Sequence, residues 1–319
     1  MRLNYYCSLF LKLKRDMKYG GAPHKPILLL SILDMYEQGV CDSARVYVTP
    51  ELVASFKANW ARLVDSDRHY PIFALPFYHL RSEPFWQLVP NPGCEKWLDS
   101  KITMRNFNNL TTAVAYALVD EDLAALMMQK ETREIMRNLL CSKYFPNKSN
   151  DCIFYESNEI LSTGFLYEDS SEYISEMERM KNTVDLNTFQ ENIYIRRAIF
   201  KREIHRLYNY TCAMSGMQIS AMSNISMIDA CHIVPFADSY DDTLNNGIAL
   251  CPTLHRAFDR GLISISDDYT ILINKNFIEN TNSLYNLSQL KGKSLYLPTD
   301  TNMYPSLDNI QKHRIRFGF

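Results

Sequence analysis

The chain has 319 residues, of which 46% are hydrophobic and 22% are charged, with a formal net charge of −2 at pH 7. This length favours two domains over one, and the composition is that of a globular protein. The longest apolar runs, such as residues 27–30, are far too short to span a bilayer, which excludes a transmembrane protein. The eight cysteines include no CxxC pair and therefore favour reduced thiols and a cytoplasmic location over a disulfide scaffold.

The charge is unevenly distributed along the chain. Residues 1–90 carry a net charge of +3, residues 91–190 a net −6 and residues 191–319 a net +1. The near-neutral total gives no general signal for nucleic-acid binding. Because the acidic charge is concentrated in the middle, both ends of the chain are compatible with polyanion contact.

The first part of the chain, residues 1–145, is predicted to be a mostly helical domain. Apolar spacing indicates helices over 26–38 and 118–143, and β-branched residues indicate a strand near 46–48. A turn-rich aromatic segment at 69–93 lies between them, and its Phe85-Trp86 pair is assigned to core packing.

The acidic residues 146–190 predict an exposed connector with some helix, and residues 191–319 a second domain. That domain opens with a basic amphipathic segment, 194–210, which has five Lys or Arg and one acidic residue. This basic face is either simply solvated or follows a phosphate backbone, and its place next to the candidate catalytic residues favours the second interpretation. A strand ending near His232 follows, then a helix that Gly261 closes and a hairpin at 267–268.

Four polar residues of the second domain form a constellation that suits phosphodiester hydrolysis. His232 lies near the end of a strand, Asn246 in a loop 14 residues on, His255 on a helix, and Asp259 one turn later on the same helix face. An imidazole suits the activation of water, and a His/Asp pair at i, i+4 suits a divalent ion. Taken singly, each of these residues is more often a packing or surface residue; their order, spacing and flanking residues together favour a nuclease.

This region resembles the HNH endonucleases, whose ββα-metal motif has the same His–Asn–His order and spacing. The strings YNYTCAMSG, DACHIVPFADS and NNGIALCPTLHRAFDRGLISI carry the resemblance over about residues 196–275. It implies His232 as general base, Asn246 as its positioning residue, and His255 with Asp259 as ligands of one divalent ion, Mg²⁺ or Mn²⁺.

The third ligand departs from the family pattern. An Asp or His often precedes the base in this family, whereas Cys231, a softer donor than Mg²⁺ prefers, stands there. Asp229, two residues earlier, is an alternative ligand, and Cys231 is otherwise a small core residue. Many HNH proteins also hold a structural zinc ion with four cysteines. Only Cys212 and Cys251 lie near such positions, so no structural zinc is predicted.

Two strings in the first domain, GGAPHKPILLLSILDMYEQG and LPFYHLRSEPFWQL, resemble the sulfur-binding domain found N-terminal to HNH nucleases in enzymes that cut phosphorothioate-modified DNA. Sulfur in place of a phosphate oxygen is larger, more polarisable and less strongly hydrated. A site that prefers it would offer an apolar cup with cationic or imidazole groups at its rim. The alternative is that these segments are core and turn residues.

The sulfur-binding candidates divide into a wall, a rim and contacts to the DNA backbone. The predicted wall consists of Pro76, Phe77 and His79, and the predicted rim consists of His24 and Lys25. Arg81 and Lys18 are the candidates for contacts to the DNA backbone. A second alignment of the cup uses Tyr70 and Pro71 followed by Ala74.

These patterns together predict an α+β protein with a mostly helical DNA-reading domain and a C-terminal ββα-metal domain. The predicted function is a bacterial restriction-type endonuclease that recognises phosphorothioate-modified double-stranded DNA and acts as a homodimer, since one such domain has one site. The alternatives are an HNH nuclease directed to another mark or to none, and a DNA-binding protein that does not cleave.

Overall fold

A computed structural model gives the fold and describes residues 2–99, 105–151, 170–219, 226–280, 282–283 and 285–319. The described residues divide into two compact units. The first contains residues 2–151 and Val184–Ile195, and the second contains residues 170–183 and Arg196–Phe319. Helices and small antiparallel sheets occur together, which confirms the predicted α+β class.

The first unit is mostly helical. Its described helices are α1 (Arg2–Phe10), α2 (His24–Glu37), α3 (Pro50–Leu63), α4 (Ala74–His79), α5 (Glu95–Asp99), α6 (Phe107–Ala113), α7 (Glu121–Met128) and α8 (Lys130–Tyr144). Its strands β1 (Arg45–Val46), β2 (Trp86–Pro90) and β3 (Val114–Val119) form an antiparallel sheet with β3 in the centre. The predicted helix at 26–38 is α2 and the predicted strand near 46–48 is β1.

The core of the first unit surrounds α2, which is buried along almost its whole length. Its one buried acid, Asp34, is paired with Arg137 and accepts hydrogen bonds from Ser55 and Asn59, so no charge is left uncompensated. Phe85 and Trp86 are also buried, as expected for core residues.

The helical prediction over 118–143 is confirmed for Glu121–Met128 and Lys130–Tyr144 and is wrong at its first residues. Val114–Val119 pairs with β2 as a strand, and Gln129 adopts an extended conformation that separates α7 from α8. Pairing with β1 and β2 places Leu118 and Val119 in a strand, and the extended Gln129 divides the rest of the predicted range into two helices.

The described part of the second unit consists of helices and two short, two-stranded antiparallel sheets. Its helices are α9 (Ser170–Thr183), α10 (Leu186–Leu207), which begins within the first unit, α11 (Phe236–Ser239), α12 (Pro252–Asp259) and α13 (Leu307–Phe317). The strands β4 (Asp229–His232) and β5 (Gly247–Leu250) form one antiparallel pair, and β6 (Ile263–Ile265) and β7 (Ile271–Ile273) another. The predicted hairpin and the helix end at Gly261 (φ +65°) are both present.

The segment predicted as an exposed connector, 146–190, is not exposed throughout. Tyr173 and Met177 of α9 are fully buried in the second unit. Residues 152–169 lie outside the described residues. The predicted domain boundaries themselves stay predictions.

One cysteine differs from the expected reduced state, since Cys141 is disulfide-bonded. The absence of a CxxC pair does not exclude a bridge between cysteines that folding brings together. Six other cysteines are free. Within the described parts of the chain, no helix has the length and apolarity needed to cross a membrane.

Candidate active site

The candidate active site is built on the strand pair β4–β5 and the helix α12 that follows it. His232 at the end of β4 lies opposite Gly247 at the start of β5. A Cβ atom at Gly247 would collide with Ile204 and come within 2.9 Å of the Phe200 ring, so only glycine lets the sheet approach α10 so closely. Strand, loop, strand and helix thus occur in the order of a ββα motif.

The side chains of His232 and His255 line the same cavity, which has a volume of about 380 Å³. Asp259 lines it too, as do the two arginines Arg197 of α10 and Arg316 of α13. The structure therefore brings together, on one side of the scaffold, two histidines that the sequence places 23 positions apart. The cavity combines imidazole, carboxylate and guanidinium groups around one space.

His232 is held on two sides. Its ring stacks on Phe200 with centroids 4.1 Å apart and planes 4° from parallel. Its Nε2 atom lies 2.8 Å from Oδ1 of Asp242, a fully buried carboxylate in the loop between β4 and β5. Sequence reasoning missed Asp242; the available signal was the pair of consecutive acids at 241–242 between two motif residues.

The predicted metal ligands also lie together. Ligand atoms of Cys231, His255 and Asp259 all lie within 4.8 Å of one another. Cys231 Sγ is 3.8 Å from Asp259 Oδ1, and His255 Nδ1 is 3.1 Å from Asp229 Oδ2. One sulfur, one nitrogen and two carboxylates form a donor set that fits a divalent transition-metal ion.

Cys231 is the most enclosed member of this cluster, with no exposed surface. Burial, and then the neighbouring carboxylates of Asp259 and Asp229, raise the pKa of its thiol. Both predicted alternatives for the third ligand contact the His255–Asp259 pair, since Cys231 lies against Asp259 and Asp229 lies against His255.

The side chain of Asn246 holds the loop that follows β4 through hydrogen bonds to its backbone. Its Oδ1 accepts a hydrogen bond from the Val234 backbone N–H at 2.9 Å, and its Nδ2 donates to the carbonyl oxygens of Val234 and Asp241, each at 2.9 Å. The side chain is completely buried. All its hydrogen bonds go to the backbone, so it fixes the position of the segment between His232 and Asp242.

Residues 212–266 match the family model of the HNH endonucleases. They form an HNH endonuclease domain. No curated protein matches the chain. Over 39% of this chain and 39% of the other, the fold is similar to that of a solved structure described as a "Modification dependent TagI restriction endonuclease", with 21% sequence identity and a TM-score of 0.32. The match thus spans about two fifths of the length of that solved protein.

A second cavity, of about 430 Å³, lies in the first unit, outside the HNH domain. Four of the residues predicted to read sulfur line it: His24, Lys25, Pro76 and His79. Sequence reasoning missed other residues of its lining, among them Lys14, Arg15, His69, Leu75 and Arg105. These side chains are spread over residues 14–105, and only the cationic or imidazole character of four of them gave a signal.

The residues predicted to form the rim of this second cavity do not supply free positive charge. Lys25 is buried and forms a salt bridge with Glu83 at 2.6 Å, so it offers no free cation. Burial lowers the pKa of His24 to about 4 and also lowers that of His79, so both imidazoles are neutral at pH 7.

The prediction that Phe77 forms part of the wall of the sulfur-binding cup is wrong. Its side chain is fully buried, with its ring centroid 5.6 Å from that of Phe73 and 5.2 Å from that of Trp86. A side chain enclosed in the core cannot contact DNA.

The remaining candidates lie outside the lining of the second cavity. Tyr70 is 64% exposed, and its carbonyl oxygen lies 2.9 Å from His24 Nε2, which places the alternative segment with Pro71 beside the cavity. Arg81 donates to the Leu98 carbonyl at 2.8 Å and lies over the ring of Tyr78.

Proposed function

We propose that this protein is a metal-dependent DNA endonuclease of restriction type that acts in the cytoplasm on phosphorothioate-modified double-stranded DNA. The observation that carries the hydrolytic part is that His232, His255 and Asp259 line one cavity of the HNH domain. A scissile phosphate between them would meet a base on one side and a cation site on the other.

The chain's own residues divide the chemistry between them. His232 removes a proton from the attacking water. Arg197 and Arg316, which also line the cavity, bind the phosphate oxygens through the planar donor fork of their guanidinium groups. Cys231, His255 and Asp259 would hold a divalent ion, Mg²⁺ or Mn²⁺, which supplies positive charge against the phosphate and the departing 3′ oxygen.

The second cavity supports recognition of a sulfur-bearing phosphate. Its neutral imidazoles, His24 and His79, and the apolar side chains of Leu75 and Pro76 offer little compensation for desolvating a phosphate oxygen. A polarisable sulfur atom loses less hydration there. Lys14, Arg15 and Arg105, in the same lining, suit the negative charge that the modified phosphate retains.

A pair of duplexes that differ by one sulfur atom tests this function. We expect tighter binding, and cleavage with Mn²⁺ or Mg²⁺, for the sulfur-bearing duplex at matched salt. Equal binding to both duplexes, with cleavage of both, would eliminate the sulfur reader and leave an HNH nuclease directed to another mark or to none. Sulfur-selective binding without cleavage under any metal would instead indicate a DNA-binding protein.

We also propose that the active species is a homodimer, because one HNH domain provides one cleavage site and a double-strand break needs two. Sedimentation velocity of the protein bound to a sulfur-bearing duplex is expected to give two protein chains per duplex. A single chain that cuts both strands would contradict this part of the proposal.

A further inference from the structure

The carboxylate of Asp242 lies beside the proposed base, and its described side-chain contacts do not include the metal-ligand cluster. Its Oδ1 is 2.8 Å from His232 Nε2, and its Oδ2 is 3.5 Å from the hydroxyl of Tyr173. Asp242 has no exposed surface. A polar side chain enclosed in this way needs hydrogen-bond partners inside the protein, and these two contacts provide them.

The contact with Asp242 determines which ring nitrogen of His232 carries the proton. A carboxylate only accepts hydrogen bonds, so Nε2 must hold the proton that is donated to it. In the neutral ring, Nδ1 is then the atom with a lone pair. Among the described contacts, Nδ1 of His232 has no hydrogen-bond partner, and the residue lines the active-site cavity. The unprotonated nitrogen is therefore the one left for water.

Tyr173 links this pair to the helix α9. It is completely buried, and the Arg196 guanidinium lies 5.2 Å from the centre of its ring. A second contact from α9 reaches the same loop, because Lys181 Nζ donates to the Tyr240 hydroxyl at 2.7 Å. α9 thus holds the segment that carries Asp242 at two points, although 28 residues separate its end from the region that matches the HNH family.

We propose that Asp242 is a positioning residue that holds the proton of His232 on Nε2 and turns Nδ1 to the water, and that Tyr173 of α9 fixes the Asp242 carboxylate. What this positioning does for catalysis rests on the proposed nuclease function. The state of the ring does not, since it exists without substrate.

The first measurement is the tautomer of His232 in the metal-free full chain, from the side-chain ¹⁵N resonances assigned with a His232→Gln variant. We expect the wild type to carry the proton on Nε2. In Asp242→Leu, which has a similar shape and no acceptor, we expect that preference to be lost. A proton on Nδ1 in the wild type, or an unchanged tautomer in Asp242→Leu, would overturn the proposal.

The second measurement is a kinetic comparison with a matched control. Asp241 is a buried neighbouring acid whose carboxylate accepts from the Thr243 backbone N–H at 2.9 Å and makes no described contact with His232. For Asp242→Leu we expect kcat to fall by roughly 10²-fold to 10⁴-fold with little change in KM, the scale of a lost proton-transfer contribution. A fall in kcat for Asp241→Leu as large as that for Asp242→Leu would mean that both acids only support the loop, against the proposal.

Tyr173→Phe keeps the proposal testable if Asp242→Leu does not fold. It removes only the hydroxyl, and we expect the same change in tautomer and kcat, smaller in size. A Tyr173→Phe protein with wild-type tautomer and wild-type kcat would refute the role of α9. If no variant and no wild-type sample cleaves DNA, the nuclease function fails, while the tautomer measurement still decides the positioning of His232.

Discussion

Cys231 gives the metal-ligand cluster a soft donor at a position where HNH nucleases often have Asp or His. Its sulfur lies 3.8 Å from Asp259 Oδ1, inside the group that also contains His255. Thiolate and imidazole donors favour transition metals, whereas Mg²⁺ prefers oxygen. The cluster should therefore work better with Mn²⁺ than with Mg²⁺.

A Cys231→Asp variant tests the contribution of the sulfur. We expect the ratio of Mg²⁺-supported to Mn²⁺-supported cleavage to rise by about tenfold, equivalent to about 1.4 kcal/mol of changed preference. The measurement is the cleavage rate at saturating concentrations of each metal. Cys212→Asp, at a buried cysteine outside the cluster, is the control; the same ratio in Cys231→Asp and wild type would show that the sulfur is not a ligand.

Two histidines make the fold sensitive to acid. Burial lowers the pKa of His24 and of His313 to about 4 each, and His313 is enclosed between Ser264 and the Phe258 carbonyl. The unfolded chain takes up these protons near pH 6.5, whereas the folded chain excludes them until about pH 4. Stability is therefore complete above about pH 6.5 and falls on acidification, by up to about 1.4 kcal/mol per pH unit for each histidine.

A His313→Asn variant should lose less stability than the wild type between pH 6.5 and pH 4.5. The measurement is the thermal unfolding midpoint of both proteins across that range. His205→Asn is a poorer control because burial lowers the pKa of His205 as well, so the exposed change Lys312→Gln on the same helix serves instead. Parallel curves for His313→Asn and wild type would contradict the assignment.

The motif residues could be predicted individually because the ββα unit is local in sequence. Their order, spacing and flanking residues, together with the resemblance to HNH endonucleases, identified His232, Asn246, His255 and Asp259, and the structure brings His232, His255 and Asp259 to one cavity. Asp242 was missed because its burial depends on α9. Phe77 was misplaced because α4 turns by about 100° per residue, so that Pro76 lines a cavity while Phe77 points into the core.

At the scale of elements, the loop between β4 and β5 depends on Asn246. Replacing it with alanine removes all three hydrogen bonds to Val234 and Asp241 and leaves buried backbone groups unpaired, at about 1–3 kcal/mol for each group that finds no water. We expect Asn246→Ala to lower the unfolding midpoint and to reduce cleavage strongly, because His232 and Asp242 flank the loop.

The neighbouring residue provides the comparison. Asn245 donates to the carbonyls of Asn302 and Tyr304 and not to the loop. Asn245→Ala should therefore affect stability with a smaller effect on kcat, measured by calorimetry and cleavage assays. If the two alanine variants cleave equally well, Asn246 does not position the base.

Elements were predictable where a local signal marks their ends. Pro252 begins α12 and Gly261, at φ +65°, follows its end, and the hairpin β6–β7 turns at two consecutive acids. The last two residues of β3 lay inside the predicted helical range, and the pairing of β3 with β1 and β2 decides its conformation. Such non-local pairing is invisible in a single sequence.

At the scale of the whole molecule, the two candidate sites belong to different units. The second cavity lies among residues 14–105, and the HNH cavity among residues 197–317. Under the proposed function, we therefore expect DNA recognition and DNA cleavage to be separable by mutation. The sequence predicted this order of domains, but it placed α9 in the connector, because an acidic, polar composition hides the two fully buried residues Tyr173 and Met177.

An Arg105→Ala variant tests the separation. We expect weaker binding to sulfur-bearing DNA, a slope of log affinity against log salt smaller by about 1, and an unchanged kcat at saturating DNA. Arg45→Ala, whose arginine lies over the Tyr116 ring in the same unit and outside the cavity, is the matched control. Unchanged affinity and salt dependence in Arg105→Ala would show that this cavity does not contact phosphate.

Cleavage of phosphorothioate-bearing plasmid DNA in the presence of Mn²⁺, by wild type and by His232→Ala, tests the central claim most directly. We expect double-strand cleavage by the wild type, and a rate at least about 10²-fold lower for a folded His232→Ala protein. Equal cleavage by the two proteins would show that the water is activated elsewhere and would contradict the account.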